Sequence, residues 1–175
     1  EMYNSALTTR VNRDKVFWPA TETEPALTKG DLVDYYAAVA DVLVPFLVDR
    51  PLILVRYPDG IEGKNFYQWN VPPGMPAWVR TITVRDEDER PDKPRAKRTF
   101  LVSDAATLQY IANLGCIPLH VLASRAPNLD VSDFFTIDFD VKQSTLANAI
   151  TLARTLHDIL EEIGLPSYPK TSGQS

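Results

Sequence analysis

The stretch Arg50-Pro51-Leu52-Ile53-Leu54-Val55-Arg56-Tyr57-Pro58-Asp59-Gly60 sets the fold. Leu52–Tyr57 is a short run of leucine and β-branched residues, the pattern of a buried strand. Arg50-Pro51 closes the segment before it, because the residue preceding a proline is steered away from helical backbone. Pro58-Asp59-Gly60 has the composition of a turn. Upstream, Leu32, Tyr35, Tyr36, Val39, Val42, Leu43 and Phe46 repeat with a helical period. Thr28 and Asp31 stand at the spacing of an N-cap and an acidic N3 residue. The pattern predicts a helix that Pro45 kinks or ends in its last turn. Residues 3–26, with Pro19, Pro25 and the acidic Glu22–Glu24 segment, read as irregular.

Downstream, Asn65–Val71, Trp78–Val84 and Arg98–Val102 read as strands, and Asp86–Lys97 as a charged, proline-bearing loop. Ser103 caps a predicted helix from Asp104 to about Leu114, which Gly115 stops. Ile117–Leu122 and Phe134–Phe139 read as short apolar strands on either side of an Arg125–Asp133 loop. From Ser144 to Ile163, the residues Leu146, Ala149, Ile150, Ala153, Leu156, Leu160 and Ile163 mark an amphipathic helix. The class is α/β with a mixed sheet. After Pro166 no further core element follows, although a strand and a long helix normally return to the sheet. The expectation is a fragment, a cleaved chain or one half of a larger domain.

A chain of 175 residues that is 45% apolar is long enough and hydrophobic enough for one core, which excludes a disordered protein. The single cysteine, Cys116, excludes an intrachain disulfide and a Cys-rich zinc site. No run approaches the roughly 18 apolar residues of a bilayer span. Residues 1–13 lack the apolar core of a signal peptide. A soluble, cytoplasmic protein with no membrane partner is expected. The net charge of −5 argues against a protein that wraps nucleic acid by overall charge. It leaves open a local basic groove or carboxylates presented to a cation.

Ile137-Asp138-Phe139-Asp140 is the sharpest chemical feature. On a strand, side chains two apart share a face, so Asp138 and Asp140 would stand together and repel unless a cation lies between them. Mg²⁺ and Mn²⁺ favour such oxygen donors; two solvated carboxylates at a strand end are the plain alternative. His120 sits in an apolar strand, as a half-buried histidine or as a donor to phosphate. Lys15 and Lys29 flank the irregular segment, and Lys29 lies where a helix N-terminus offers N–H groups to an anion. Alternation puts Tyr67 and Trp69 on one face and Phe66 on the other, so one set is core and the other is free to stack on bases. Residues 80–98 carry seven cations against five carboxylates, a salt-bridged loop or a track for a phosphate backbone. Lys170-Thr171-Ser172-Gly173 lacks the approach of a Walker loop but offers hydroxyl and N–H donors. Together these favour phosphoryl transfer on nucleotides over acyl or hydride chemistry.

Several motifs in order carry a family resemblance. They are Asp14-Lys15-Val16-Phe17-Trp18-Pro19, Leu27-Thr28-Lys29-Gly30-Asp31 with Tyr35-Tyr36, Arg56-Tyr57-Pro58-Asp59-Gly60, Phe66-Tyr67-Gln68, and Leu114-Gly115-Cys116-Ile117 with His120. The acidic pair Asp138/Asp140 and the closing Lys170-Thr171-Ser172-Gly173 complete the set. Over residues 12–175 the chain resembles the polymerase domain of bacterial ATP-dependent DNA ligase D, in the archaeo-eukaryotic primase superfamily. The resemblance implies the primase-polymerase fold, with residues 1–175 as the N-terminal portion of one domain that continues beyond the chain. It implies nucleotidyl transfer to a DNA 3′-hydroxyl during gap filling or end joining, with NTPs preferred to dNTPs and Mn²⁺ or Mg²⁺ as cofactor. Asp138 and Asp140 would be two of three metal carboxylates. His120, Ser172, Lys170 and Arg125 would contact the nucleotide, Lys15 and Lys29 a 5′-phosphate, and Phe66 and Tyr67 the template.

The implied partners are gapped, overhanging or broken DNA, nucleoside triphosphates, end-binding and ligase components, and a companion chain supplying the rest of the domain. The implied place is the cytoplasm, with the nucleoid. Val141 and Lys142 follow the acidic pair where the family commonly has Pro, and Trp69 stands where Lys is frequent. The third carboxylate falls beyond Ser175, so the isolated polypeptide is expected to be inactive. The rival expectations are a non-catalytic nucleic-acid-binding module of this fold, a standalone repair primase-polymerase, and an unrelated phosphohydrolase using the same acidic pair.

Overall fold

The computed structural model describes residues 12–85 and 96–171. Most of the expected charged loop, together with Ser172 and Gly173, lies outside the described residues. The chain divides into two compact units, one ending at Phe135 and one beginning at Thr136.

In the first unit, the quoted stretch forms the strand around which the sheet is built. We name the elements β1 (Val16–Trp18), β2 (Leu27–Thr28), α1 (Lys29–Ala38), α2 (Ala40–Leu47), β3 (Pro51–Arg56), β4 (Phe66–Gln68), β5 (Thr81–Arg85), β6 (Ala96–Leu101), α3 (Ala105–Asn113) and β7 (Cys116–Val121). The strand β3 pairs with β7 along one edge and with β6 and then β4 along the other, and β5 pairs with β6. The α/β class stands, and every pairing among the described strands is antiparallel.

Alternation along β3 sends Leu52 and Leu54 to one face, where they meet Leu32, Val33 and Tyr36 of α1 and Leu108, Ile111 and Ala112 of α3. Leu52, Leu54, Leu108, Ile111 and Phe100 are almost fully buried, and each contributes about 1.5–3 kcal/mol relative to exposure. Ile53 and Val55 point to the opposite face, which β4 and β7 share.

The capping box is formed as its spacing predicts. The Thr28 hydroxyl accepts from the Asp31 amide, and the Thr28 amide donates to Asp31 Oδ2 at 2.6 Å. The helix that follows differs from expectation: it divides at Val39 into α1 and α2, and Pro45 lies inside α2 without ending it. The N-cap of α3 is Asp104 rather than Ser103, its carboxylate accepting from the Thr107 amide at 2.7 Å. Gly115 ends α3 at φ 79°, in the left-handed region where a Cβ is disfavoured. The segment 3–26, read as irregular, contains β1, which pairs with β2 through Val16↔Thr28 and Trp18↔Leu27. Its central Phe17 is 1% exposed, and that burial fixes the hairpin to the core.

In the second unit, α4 (Leu146–Glu162) forms where the apolar spacing places it, with Thr145 as its N-cap. The expected strand Phe134–Phe139, which spans the boundary between the units, is not formed: its residues have no ladder partner among the described residues. An apolar run makes a strand only where an edge is offered to its N–H and C=O groups. No described helix is long and apolar enough to cross a membrane.

Candidate functional site

The hairpin β1–β2 explains how two lysines fourteen positions apart meet. Lys15 precedes β1, Lys29 follows β2, and the ladder continues one step past Val16↔Thr28, with the Lys29 amide donating to Lys15 O at 2.8 Å. The turn Pro58-Asp59-Gly60 then closes on the same spot. Gly60 has φ 86°, and the Ile61 amide donates to Phe17 O at 2.8 Å. A Cβ on Gly60 would lie 2.9 Å from Phe17 O, so only glycine lets this turn lie against β1. The approach brings Lys15 Nζ to 2.6 Å from both Asp59 Oδ1 and Pro58 O.

Arg56, at the end of β3, completes the cluster. Its Nε donates to Leu114 O at 2.7 Å, its Nη1 to Gln68 Oε1 at 2.8 Å, and its guanidinium lies over the Phe66 ring. Among the described residues the Lys29 ammonium has no acceptor. It is half-buried, and burial first, then Lys15 and Arg56, push its pKa below the ordinary lysine value. Arg13, nearby on the chain, is tied to Asp34 and to Gly30 O. A cation held beside two others, with no acceptor of its own among the described residues, is an electrostatic cost that an anion relieves.

The N-terminus of α1 does not add free N–H groups, contrary to expectation. The amides of Lys29, Gly30 and Asp31 are taken by Lys15 O, Arg13 O and the Thr28 hydroxyl. Attraction for an anion falls to the side chains.

On the other face of the sheet, Tyr67 stands opposite Val55 and His120 opposite Ile53, and their ring centroids are 5.9 Å apart. Both side chains are exposed. Phe66 packs with Arg56 on the helix face, so Phe66 and Tyr67 are not one stacking pair. Trp69 is half-buried, with the Lys97 ammonium 4.4 Å from its ring centroid.

Arg125 belongs to a clamp that sequence reading missed. Asp133 Oδ2 accepts from Arg50 Nη2 at 2.7 Å and from Arg125 Nε at 3.0 Å. Arg50, 5% exposed, also donates to Phe46 O, Leu122 O and Ala123 O, and Arg125 Nη1 donates to Val48 O. The Arg50 hydrogen bond, with Arg125 behind it, holds the Asp133 carboxyl below the usual aspartate range.

In the second unit, Asp138 and Asp140 are exposed and lack the ladder that would force their side chains onto one face. Lys142 Nζ lies 3.7 Å from Asp140 Oδ2. Two carboxylates suit a hard divalent ion whose other positions are filled by water and substrate phosphates. No group of three or more metal-ligating side chains is found among the described residues. Lys170 is exposed. Asp59 and Arg56 were missed as site residues. Arg56 ends the buried strand and is visible in that light, whereas Asp59 meets Lys15 across 44 residues, a contact without a local signal.

Comparison with known proteins gives the family of the chain. The chain is 31% identical to the multifunctional non-homologous end joining DNA repair protein LigD of Mycobacterium tuberculosis, across 94% of this chain and 22% of that protein. It is 30% identical to the bifunctional non-homologous end joining protein LigD of Bacillus subtilis, across 83% of this chain and 22% of that one. The chain thus spans about a fifth of the length of these relatives. The polymerase domain from Mycobacterium tuberculosis ligase D, solved in complex with DNA, superposes with a TM-score of 0.72 at 27% identity, covering 93% of this chain and 56% of that one. The family model described as LigD, primase-polymerase domain, matches residues 28–175, and the chain belongs to that family.

Proposed function

We propose that this chain is part of a primase-polymerase domain that transfers nucleotides, NTPs in preference to dNTPs, to a DNA 3′-hydroxyl during template-directed gap filling or end joining. The observation that carries the reading is the Lys29 ammonium, held beside Lys15 and Arg56 with no acceptor among the described residues. It suits the 5′-phosphate at the far side of a DNA gap, which supports a role on broken or gapped DNA. Tyr67 offers an exposed ring to a template base. His120 beside it is within reach of the same substrate and suits a phosphate oxygen, as do Lys170 and Ser172. Arg125 keeps Nη2 for a phosphate after Nε and Nη1 are used within the fold.

Asp138 and Asp140 would hold Mn²⁺ or Mg²⁺, which when bound lowers the 3′-hydroxyl pKa and offsets charge on the leaving group. In the transfer, the 3′-oxygen forms a bond to the α-phosphorus, the bond from that phosphorus to the bridging oxygen breaks, pyrophosphate leaves, and the hydroxyl proton passes to solvent.

The test is incorporation at a one-nucleotide gap by the polypeptide that carries this chain in the cell, with Mn²⁺ and NTPs. Template-dependent addition that Asp138→Asn and Asp140→Asn abolish, with gap binding retained, is expected. Binding without incorporation would replace the polymerase reading with a non-catalytic module of the same fold.

A further inference from the structure

We propose that Asp59 is a positioning residue that pins Lys15 beside Lys29 and thereby gives the cluster its preference for a terminal phosphate. The inference rests on the reading of this cluster as a 5′-phosphate site. Lys15 and Lys29 carry like charges, and a lysine on a flexible four-carbon stem would otherwise swing into solvent. Two acceptors prevent that: Asp59 Oδ1 and Pro58 O, each 2.6 Å from Nζ, take two of its three donors. The third has no acceptor among the described residues and is left for a ligand beside Lys29, whose ammonium feels the Lys15 charge.

The support behind Asp59 is built rather than incidental. Gly60 at φ 86° lets the turn touch Phe17 O, and the Gly63 amide donates to Gly60 O at 3.0 Å. A Cβ on Gly63 would lie 2.9 Å from the Asp59 Cβ, so glycine there keeps room for the carboxylate. A carboxylate beside a phosphate site repels phosphate in general. Its worth must therefore lie in orientation, and that separates the two kinds of DNA binding. Contact with the continuous backbone depends on charge, whereas capture of one terminal phosphate depends on two ammonium groups converging.

The experiment measures binding of the chain to a gapped duplex bearing either a 5′-phosphate or a 5′-hydroxyl, by fluorescence anisotropy. Asp59→Ala is expected to weaken binding of the phosphorylated duplex about three- to tenfold, the partial loss of one charge-assisted contact. Binding of the hydroxyl duplex should hold or tighten. Asp59→Asn, which keeps an accepting oxygen, should retain part of the preference, and in a Lys15→Gln background Asp59→Ala should change the preference no further. Equal weakening for both duplexes, or a preference unchanged within twofold, overturns the role given to Asp59. If Lys29→Met also leaves the preference unchanged, the phosphate site itself is overturned, and the role of Asp59 with it.

Discussion

Replacing Lys29 with Met should weaken the protein's grip on DNA and stabilise its fold, and the opposed signs are what make the substitution informative. The side chain is half-buried, has no acceptor among the described residues, and lies within the fields of Lys15 and Arg56. Its lowered pKa means that the folded state penalises the ammonium. That penalty is present at neutral pH and is relieved only as pH rises through the window between the lowered value and about 10.4. Methionine keeps the stem and removes the charge, so at pH 7 the repulsion disappears. Solvent screening of a partly exposed group limits the gain to a few tenths up to about 1 kcal/mol. For a chain of this size the melting temperature should rise by about 1–4 °C. Binding moves the other way. One charge-assisted hydrogen bond to a phosphate is worth about 1.5–3 kcal/mol, so affinity for a 5′-phosphorylated gap should fall about 10- to 150-fold. The slope of log affinity against log salt should become shallower by about 0.9. Anisotropy titrations at several salt concentrations and a thermal melt read both effects. A lower melting temperature, with equal losses for phosphorylated and hydroxyl ends, would refute the reasoning, because Lys29 would then be a packing residue.

Three further outcomes follow from the local chemistry. The Asp133 carboxyl is held down first by Arg50, so its contribution to stability is present above the ordinary aspartate range, near pH 4, and is lost as pH falls through the lower folded value. In Asp133→Asn the acid limb of a denaturation-versus-pH curve should flatten, and an unchanged limb would show the clamp to be inert. Thr28→Ala removes the acceptor for the Asp31 amide and should cost about 0.5–2 kcal/mol in urea unfolding; a neutral result would mean that hairpin and core hold α1 without its cap. Burial pushes the Cys116 thiol up to about 12, so the native protein at pH 8 should resist a thiol reagent that labels it fully in denaturant, and rapid native labelling would contradict that burial.

How much of this was legible depended on whether the cause was local. Thr28 and Asp31 form their box because both partners lie within one turn, and Gly115 stops α3 because the backbone there takes φ 79°. Leu52–Tyr57 announced a buried strand through composition alone. The hairpin β1–β2 escaped because each strand is two or three residues long and its partner is distant in sequence. The break at Val39 falls inside an uninterrupted apolar period, which marks a buried face but not the continuity of the axis. Phe134–Phe139 has a strand's composition and no ladder, and strand formation depends on the edge it is offered. Within the site, Lys15, Lys29, His120 and Tyr67 were chosen by type and motif. Asp59 meets Lys15 across 44 residues, Arg56 lies 27 positions from Lys29, and Asp133 meets Arg50 across 83, where no periodicity reports them.

The long-range contacts also determine how the two parts of the first unit are linked. Val55 and Arg56 are consecutive on β3, and alternation sends them to opposite faces. Val55 faces Tyr67 across the ladder, whereas Arg56 faces Phe66 and lies within the field of Lys29. The cation cluster and the aromatic face are therefore set apart by a single peptide step and by the thickness of one sheet, roughly 3.3 Å along the strand. The ladder with β4 pairs both residues and holds that spacing, while the β7 ladder is irregular between Leu54 and Arg56. A loop could adapt to ends of any geometry, but a sheet cannot. If the cluster holds a 5′-phosphate and Tyr67 meets a base, the distance between them is set by the backbone itself. Selectivity for the length of a gap would then be a property of the strand that the sequence announces most clearly.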